Sequence, residues 1–458
     1  MFELSTAAAA IGAQRSGRDV RILRVTTDSR DVRAGDLFVA LKGARFDGHA
    51  FVERALADGA SAALVSDPAS AGALQAALMV APDTRLALGK LAAWWRSRFD
   101  LPLVGVTGSN GKTTVKEMLA AVLRLHAPAG GVLSTAGNLN NDIGVPMMLL
   151  RLAPEHRFAV IEMGMNHLGE IAYLSRLARP TVALINNAGT AHIGEVGSVE
   201  GIARAKGEIF EGMDPAGTAV INGDDAFAEY WRGLVKARRI VDFGLDRRAA
   251  VSASYELSAT GSLMTVRAPA GEFVVRLQVP GLHNVRNALA AATVCAVLQI
   301  PANTISEGLS GYGGFGGRMQ RLQADNGATL IDDTYNANPE SMKAALSVLG
   351  QAKGRKIFVM GDMGELGPAV VDLHAEVGRF ARRTGVDRLY ALGDAVEAAV
   401  RAFGQGAEHF RDLDALLASL RGDLDADSTV LVKGSRFMKM ERVVQALAGR
   451  AVNSHGGH

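Results

Sequence analysis

Val104-Gly105-Val106-Thr107-Gly108-Ser109-Asn110-Gly111-Lys112-Thr113-Thr114 is the stretch whose reading decides the fold of this chain. An apolar strand runs into a glycine-rich turn and then into a helix. In that helix the apolar residues Val115, Met118, Leu119, Val122 and Leu123 recur with helical spacing. Glycines let successive backbone N–H groups turn inward around a polyphosphate, and the helix N-terminus adds positive potential. In such a loop Lys112 reaches the β- and γ-phosphates and the Thr113 hydroxyl ligates Mg²⁺. The spacing departs from the usual phosphate loop: Gly105 lies one residue too far from the Gly-Lys pair and Gly108 too close. A glycine-rich turn without nucleotide is the competing reading. The strand–loop–helix context favours nucleotide.

Working outward, Phe158–Ile161 reads as a strand with Glu162 at its end. Next to a phosphate loop, that carboxylate either holds Mg²⁺, directly or through water, or caps the following turn. Thr181–Ile185 reads as another strand. It leads into Asn186-Asn187-Ala188-Gly189-Thr190-Ala191-His192, and Lys206 follows on the helical stretch Gly201–Phe210. From the residues alone, His192 reads more readily as a structural loop histidine, and Lys206 as a solvated helix lysine, than either does as a ligand.

The chain has 458 residues, which at about 150 per domain suggests three domains. We expect boundaries at 1–83, 84–312 and 313–458. The first falls after the turn-rich Val80-Ala81-Pro82-Asp83. The second falls in Gly311-Tyr312-Gly313-Gly314-Phe315-Gly316-Gly317, which reads as a linker and hinge because ordering so many glycines is entropically costly. Beyond it, the apolar runs Thr329–Ile331, Lys356–Met360, Leu389–Leu392 and Thr429–Val432 each end in a polar or glycine turn and are separated by helical patterns. That alternation is the signature of a parallel α/β sheet buried on both faces, with ligands beyond the strand C-termini.

Net charge is +2, too balanced for a general nucleic-acid or membrane-surface binder. The single cysteine, Cys295, excludes a disulfide framework and a cysteine-based metal site, and fits a reducing, cytoplasmic location. The N-terminal MFELSTAAAAIGAQRSGRD has no basic segment before its alanine run and is not read as a signal peptide. The most apolar stretch, Ala288–Ile300, is too short to span a bilayer and reads as a buried helix, so no membrane insertion is expected.

Several segments, in order, resemble the Mur ligases, the ATP-dependent enzymes that build the peptidoglycan peptide. They are Thr107–Thr114, Thr135–Pro146 with its Asn138-Leu139-Asn140-Asn141, Glu162, His192, Lys206–Phe210 and His283-Asn284-Val285-Arg286-Asn287-Ala288. The shortened phosphate loop is similar to that family's own version. Thr27-Asp28-Ser29-Arg30 and Gly35–Leu41 resemble the uridine-nucleotide block of the two latest-acting members. Tyr335–Pro339, Gly361–Gly367 and Val432–Arg436 resemble the last, while an Asp-Asn-Pro-Arg run typical of its predecessor is absent.

The resemblance implies an α/β fold of three domains: a small N-terminal uridine-nucleotide domain, a central P-loop ATPase-like parallel-sheet domain and a C-terminal Rossmann-like domain. It implies ATP contacts at Gly108, Ser109, Asn110, Gly111, Lys112, Thr113 and Thr114, with Asn287 at the adenine and Arg318 and Asp333 at γ-phosphate and ribose. Two Mg²⁺ ions are implied, served by Thr113 and Glu162 and by His192 with a carbamylated Lys206. Catalytic roles fall on Lys112, Glu162, His192 and Lys206. Substrate contacts are implied at Ser29, Arg30, Asn138, Asn140 and Asn141, and dipeptide contacts at Asn336, Asn338 and Lys433. The implied substrates are UDP-N-acetylmuramoyl-tripeptide and D-Ala-D-Ala, joined by a monomer through an acyl phosphate. A folylpolyglutamate synthase shares the loop and the carboxylate activation, but the Thr27–Leu41 block argues against it. A regulatory nucleotide switch is the rival of another class, and the Asn-Lys-x-Asp run that specifies guanine is absent.

Overall fold

The computed structural model describes residues 1–43, 46–72, 76–190, 193–235, 238–269 and 271–448. It is α/β throughout, with three sheets along the chain and a two-stranded ribbon near the N-terminus. The first sheet has the order Gln14–Ser16, Ala77–Val80, Ala62–Val65, Asp36–Val39, Arg24–Thr26. Asp36–Val39 and Ala62–Val65 are buried at every position, as continuous apolar runs require when both faces are covered.

The central sheet has nine strands. Leu103–Thr107 lies between Phe158–Glu162 on one side and Val182–Ile185 on the other, parallel to both. The chain first winds outward past Phe158–Glu162 to Val132–Ser134 and later crosses to the opposite side. The strand order therefore reverses at the C-terminal end of Leu103–Thr107, which is where α/β sheets open a crevice for ligands.

The far edge differs from the purely parallel expectation. Val251–Leu257, Ser262–Ala268 and Gly271–Leu277 form an antiparallel meander. Their burial alternates, because one face packs inward and the other meets solvent. The buried helix expected at Ala288–Ile300 is Leu282–Val297, which packs over this sheet and ends before Gln299 enters the left-handed region at φ +60°.

The C-terminal sheet runs Gln320–Gln323, Thr329–Asp333, Thr429–Lys433, Lys356–Gly361, Arg388–Leu392, Ala407–Phe410. All but the first strand are parallel, so the turns after Asp333, Gly361 and Lys433 share one rim. The glycine stretch before this sheet is less loose than its composition suggests. Tyr312 is buried, Phe315 and Arg318 close a turn, and the Phe315 ring lies 5.6 Å from the Lys116 ammonium. Among the described residues, no helix is long and apolar enough to cross a membrane.

Candidate active site

The glycines of the loop are required by space as much as by conformation. Gly111 has φ +79°, and a Cβ there would stand 2.2 Å from Asn287 Oδ1 and 2.7 Å from Asn186 Nδ2. Both amides are already engaged: Asn186 Nδ2 donates to Asn287 Oδ1 at 2.9 Å and to the Asn110 carbonyl at 2.9 Å. Gly111→Ala is therefore expected to strain the backbone and push the two amides apart. We expect at least a tenfold loss of ATP affinity by calorimetric titration, since about 1.4 kcal/mol corresponds to tenfold. Unchanged affinity would show that this turn does not shape the nucleotide site.

Lys112 opens the following helix, Lys112–His126, and bends back over the loop. Its ammonium donates to the Gly108 carbonyl at 2.7 Å and to that of Ser109 at 3.3 Å. Burial pushes its pKa down, Glu162 opposes that, and Arg318 adds to it. The next residue, Thr113, donates its hydroxyl to Glu162 Oε2 at 2.9 Å. Glu162 ends its strand directly beside Val106, so strand register alone brings it to the loop. Its other oxygen accepts from Asn140 Nδ2 at 2.8 Å, and its backbone N–H donates to Thr135 Oγ1. Arg318 reaches across from the far side of the glycine stretch and donates to Thr113 Oγ1 at 3.2 Å. The Tyr335 ring supports its guanidinium from 4.0 Å.

Lys206 is the most unusual group nearby. It is fully buried on the helix Val199–Gly207, and among the described residues its Nζ has no hydrogen-bond partner. Burial, with Lys112 adding repulsion and Glu162 opposing, holds the amine well below its ordinary range. An unpartnered buried ammonium is costly. A neutral amine that adds CO₂ becomes a carbamate with oxygen donors; what fits here is the unpartnered Nζ, although Lys206 itself does not line the cleft with the phosphate loop. Thr113 and Glu162 likewise offer hard oxygen donors suited to Mg²⁺. Among the described residues no group of three or more His, Cys, Asp and Glu is poised for a metal. His192 lies outside the described residues.

The other expected residues are placed unevenly. Asn138, Asn140, Asn141, Asn287, Arg318, Asp333, Asn336, Asn338 and Lys433 line one cleft with the phosphate loop, with a volume of about 1020 Å³. Ser29 and Arg30 do not line it, and Arg30 pairs with neighbouring Asp28 at 2.7 Å. Asn141 caps the backbone N–H groups of Ile143 and Gly144. Asp333 and Lys433, separate in the sequence reading, bond to each other at 2.5 Å, and Lys433 also donates to the Asn336 carbonyl. Asn338 caps the helix Pro339–Gly350 and donates to Asn110 Oδ1 at 2.7 Å.

Sequence reasoning missed Asn186, Asn187 and Glu340. The first two hold the backbone of Asn110. The Glu340 carboxylate accepts from the Thr190 N–H and from Asn110 Nδ2, joining the two sides of the cleft. Polar residues directly after the strand Val182–Ile185 were the available signal for the asparagines. Glu340 carried none, since an acid in the first turn of a helix is ordinary.

Family profiles match along the chain: "Mur ligase family, catalytic domain" over residues 21–96, "Mur ligase middle domain" over 106–295, and "Mur ligase, glutamate ligase domain" over 317–436. The sequence is 43% identical over 441 residues to the UDP-N-acetylmuramoyl-tripeptide--D-alanyl-D-alanine ligase of Escherichia coli (strain K12), covering 95% of this chain and 96% of that one. The fold superposes on a crystal structure of MurF from Acinetobacter baumannii with a TM-score of 0.90 at 40% identity, covering 97% and 98% of the two chains. The MurF ligase of Thermotoga maritima, solved in complex with ADP, gives a TM-score of 0.83 at 28% identity, covering 93% and 97%.

Proposed function

The chain belongs to the Mur ligase family, and from that premise we propose that it is the ATP-dependent ligase that adds D-alanyl-D-alanine to UDP-N-acetylmuramoyl-tripeptide. The products are ADP, phosphate and the UDP-muramoyl-pentapeptide. The observation that carries the reading is Arg318 reaching Thr113 beside Glu162 in a cleft built from both sides of the glycine stretch. One chain supplies both walls of the cleft, so a monomer suffices for this reaction, and the single cysteine fits action in the reducing cytoplasm.

A carboxylate does not condense with an amine in water unless it is activated. The terminal carboxylate of the tripeptide attacks the γ-phosphorus of ATP, the bond to the β-phosphate oxygen breaks, and ADP leaves. The amine of the dipeptide, after losing a proton, attacks the carbonyl carbon of the acyl phosphate. The tetrahedral adduct then expels phosphate. The first step drives an anion onto a polyanion. At about 4 Å and an effective dielectric of about 20, each pair of unit charges opposes it by roughly 4 kcal/mol. Lys112 and Arg318 offset that repulsion from opposite walls. Thr113 and Glu162 would hold one Mg²⁺, and His192 with carbamylated Lys206 a second. Bound there, the ions neutralise and orient the phosphate oxygens. Asn287 holds the nucleotide end through the amide chain to Asn186, while Asn110 ties the loop to Asn338 and Glu340. Closing these walls keeps water from the acyl phosphate.

Mass spectrometry after supplying UDP-muramoyl-tripeptide, ATP, Mg²⁺ and D-Ala-D-Ala tests the proposal. We expect a product heavier than the tripeptide by the dipeptide less one water, with one ADP per product. ADP release with no lengthened peptide would refute it.

A further inference from the structure

A dipeptide acceptor presents an amine at one end and a carboxylate at the other. Its amine must arrive beside Thr113 and Arg318, where the carbonyl is activated. The opposite end needs a cation. On the C-terminal wall of the cleft, Lys433 is spoken for: it is 3% exposed and bonded to Asp333 and the Asn336 carbonyl. Arg318 is turned toward Thr113. Arg436 is different. It lines the cleft on the turn after Lys433, its side chain is 61% exposed, and a single Nη bonds Glu441 Oε1 at 2.9 Å. The second oxygen of Glu441 has no partner, so the pair is not bidentate and donors of the guanidinium fork remain for a ligand. Beside it, Phe437 lines the same cleft and is 63% exposed, an apolar ring open to a methyl group.

Both arginines approach the Tyr335 ring, Arg318 at 4.0 Å and Arg436 at 5.9 Å from its centre. Their guanidinium carbons therefore stand no more than about 10 Å apart, so both lie within reach of one short peptide, about 7 Å long when extended as a dipeptide. We infer that Arg436 binds the acceptor's terminal carboxylate and Phe437 packs its terminal methyl, so that the pair selects the dipeptide by its far end. The inference rests on the ligase reading and assigns the acceptor subsite within it.

The test compares kcat/KM for D-Ala-D-Ala, D-alanyl-D-alanine amide and D-alanyl-glycine in the native protein and in Arg436→Met, Arg436→Lys and Phe437→Ala. We expect the native protein to use the amide at least about tenfold less well, the lower range for a charge-assisted hydrogen bond. Arg436→Met should erase that preference, Arg436→Lys retain part of it, and Phe437→Ala erase the preference for alanine over glycine. KM for ATP should stay constant in all three. Equal use of dipeptide and amide by the native protein would overturn the inference, whatever the variants do. So would a carboxylate preference that survives in Arg436→Met. No dipeptide-dependent product from the native protein would overturn the ligase reading itself, and the inference with it.

Discussion

Lys112→Ala is expected to lower ligation by about three orders of magnitude or more, with the fold intact. Its ammonium is a cation lying over the loop where the polyphosphate belongs, bonded among the described residues to the carbonyls of Gly108 and Ser109. Those contacts stay within one loop and join no separate elements, so the fold should survive their loss. Removing the charge leaves an attacking anion facing the γ-phosphate with one fewer counter-charge. At about 4 kcal/mol for a close pair, and a factor of ten per 1.36 kcal/mol, the loss is about a thousandfold. Steady-state ADP release with all substrates present reads it, and a thermal melt checks the fold. Turnover within tenfold of the native protein would remove Lys112 from the phosphate site.

The second large effect is expected at Lys206. Lys206→Ala should cost about 10²–10³-fold in turnover, the range for losing one preorganised electrostatic contact to the reacting group. Short carboxylates such as acetate or formate should restore part of it. The physical reason is the state of the native side chain, an amine that is fully buried and has no hydrogen-bond partner among the described residues. Truncation leaves a cavity that feels the charges of Lys112, Glu162, Glu208 and Glu170. A small carboxylate entering it presents the oxygens that a carbamate would have presented. ADP release as a function of added carboxylate measures the rescue. Undiminished turnover in the variant without any additive would refute the carbamate. The same dose series on Lys112→Ala should show no recovery, because a carboxylate cannot replace a cation.

Much of this was legible before any coordinates. The strand Leu103–Thr107 has the bounds that its apolar run announces, and the runs beginning at Thr329, Lys356 and Thr429 are strands that extend one or two residues further, into the polar rim. The Val251–Leu277 meander was not read, although Val251-Ser252-Ala253 alternates. A short alternating stretch in an α/β chain carries little weight without its pairing partners. The expectation that Asp333 and Lys433 contact different ligands did not foresee their mutual bond, because the two strands that carry them are adjacent only in the sheet.

What the order of residues settles here is local: where glycine lets the loop turn, where apolar spacing makes strand or helix, and which side chains stand at strand ends. Those properties depend on neighbours within a few positions, so they survive in any context. Folding in three dimensions settles the rest. Arg318 meets Thr113 across 205 positions, Asn338 meets Asn110 across 228, and Lys206 ends up buried with no partner for its amine. No local pattern encodes these meetings, because burial and distance between remote segments are set by how whole sheets pack, and there the chemistry of each group is decided.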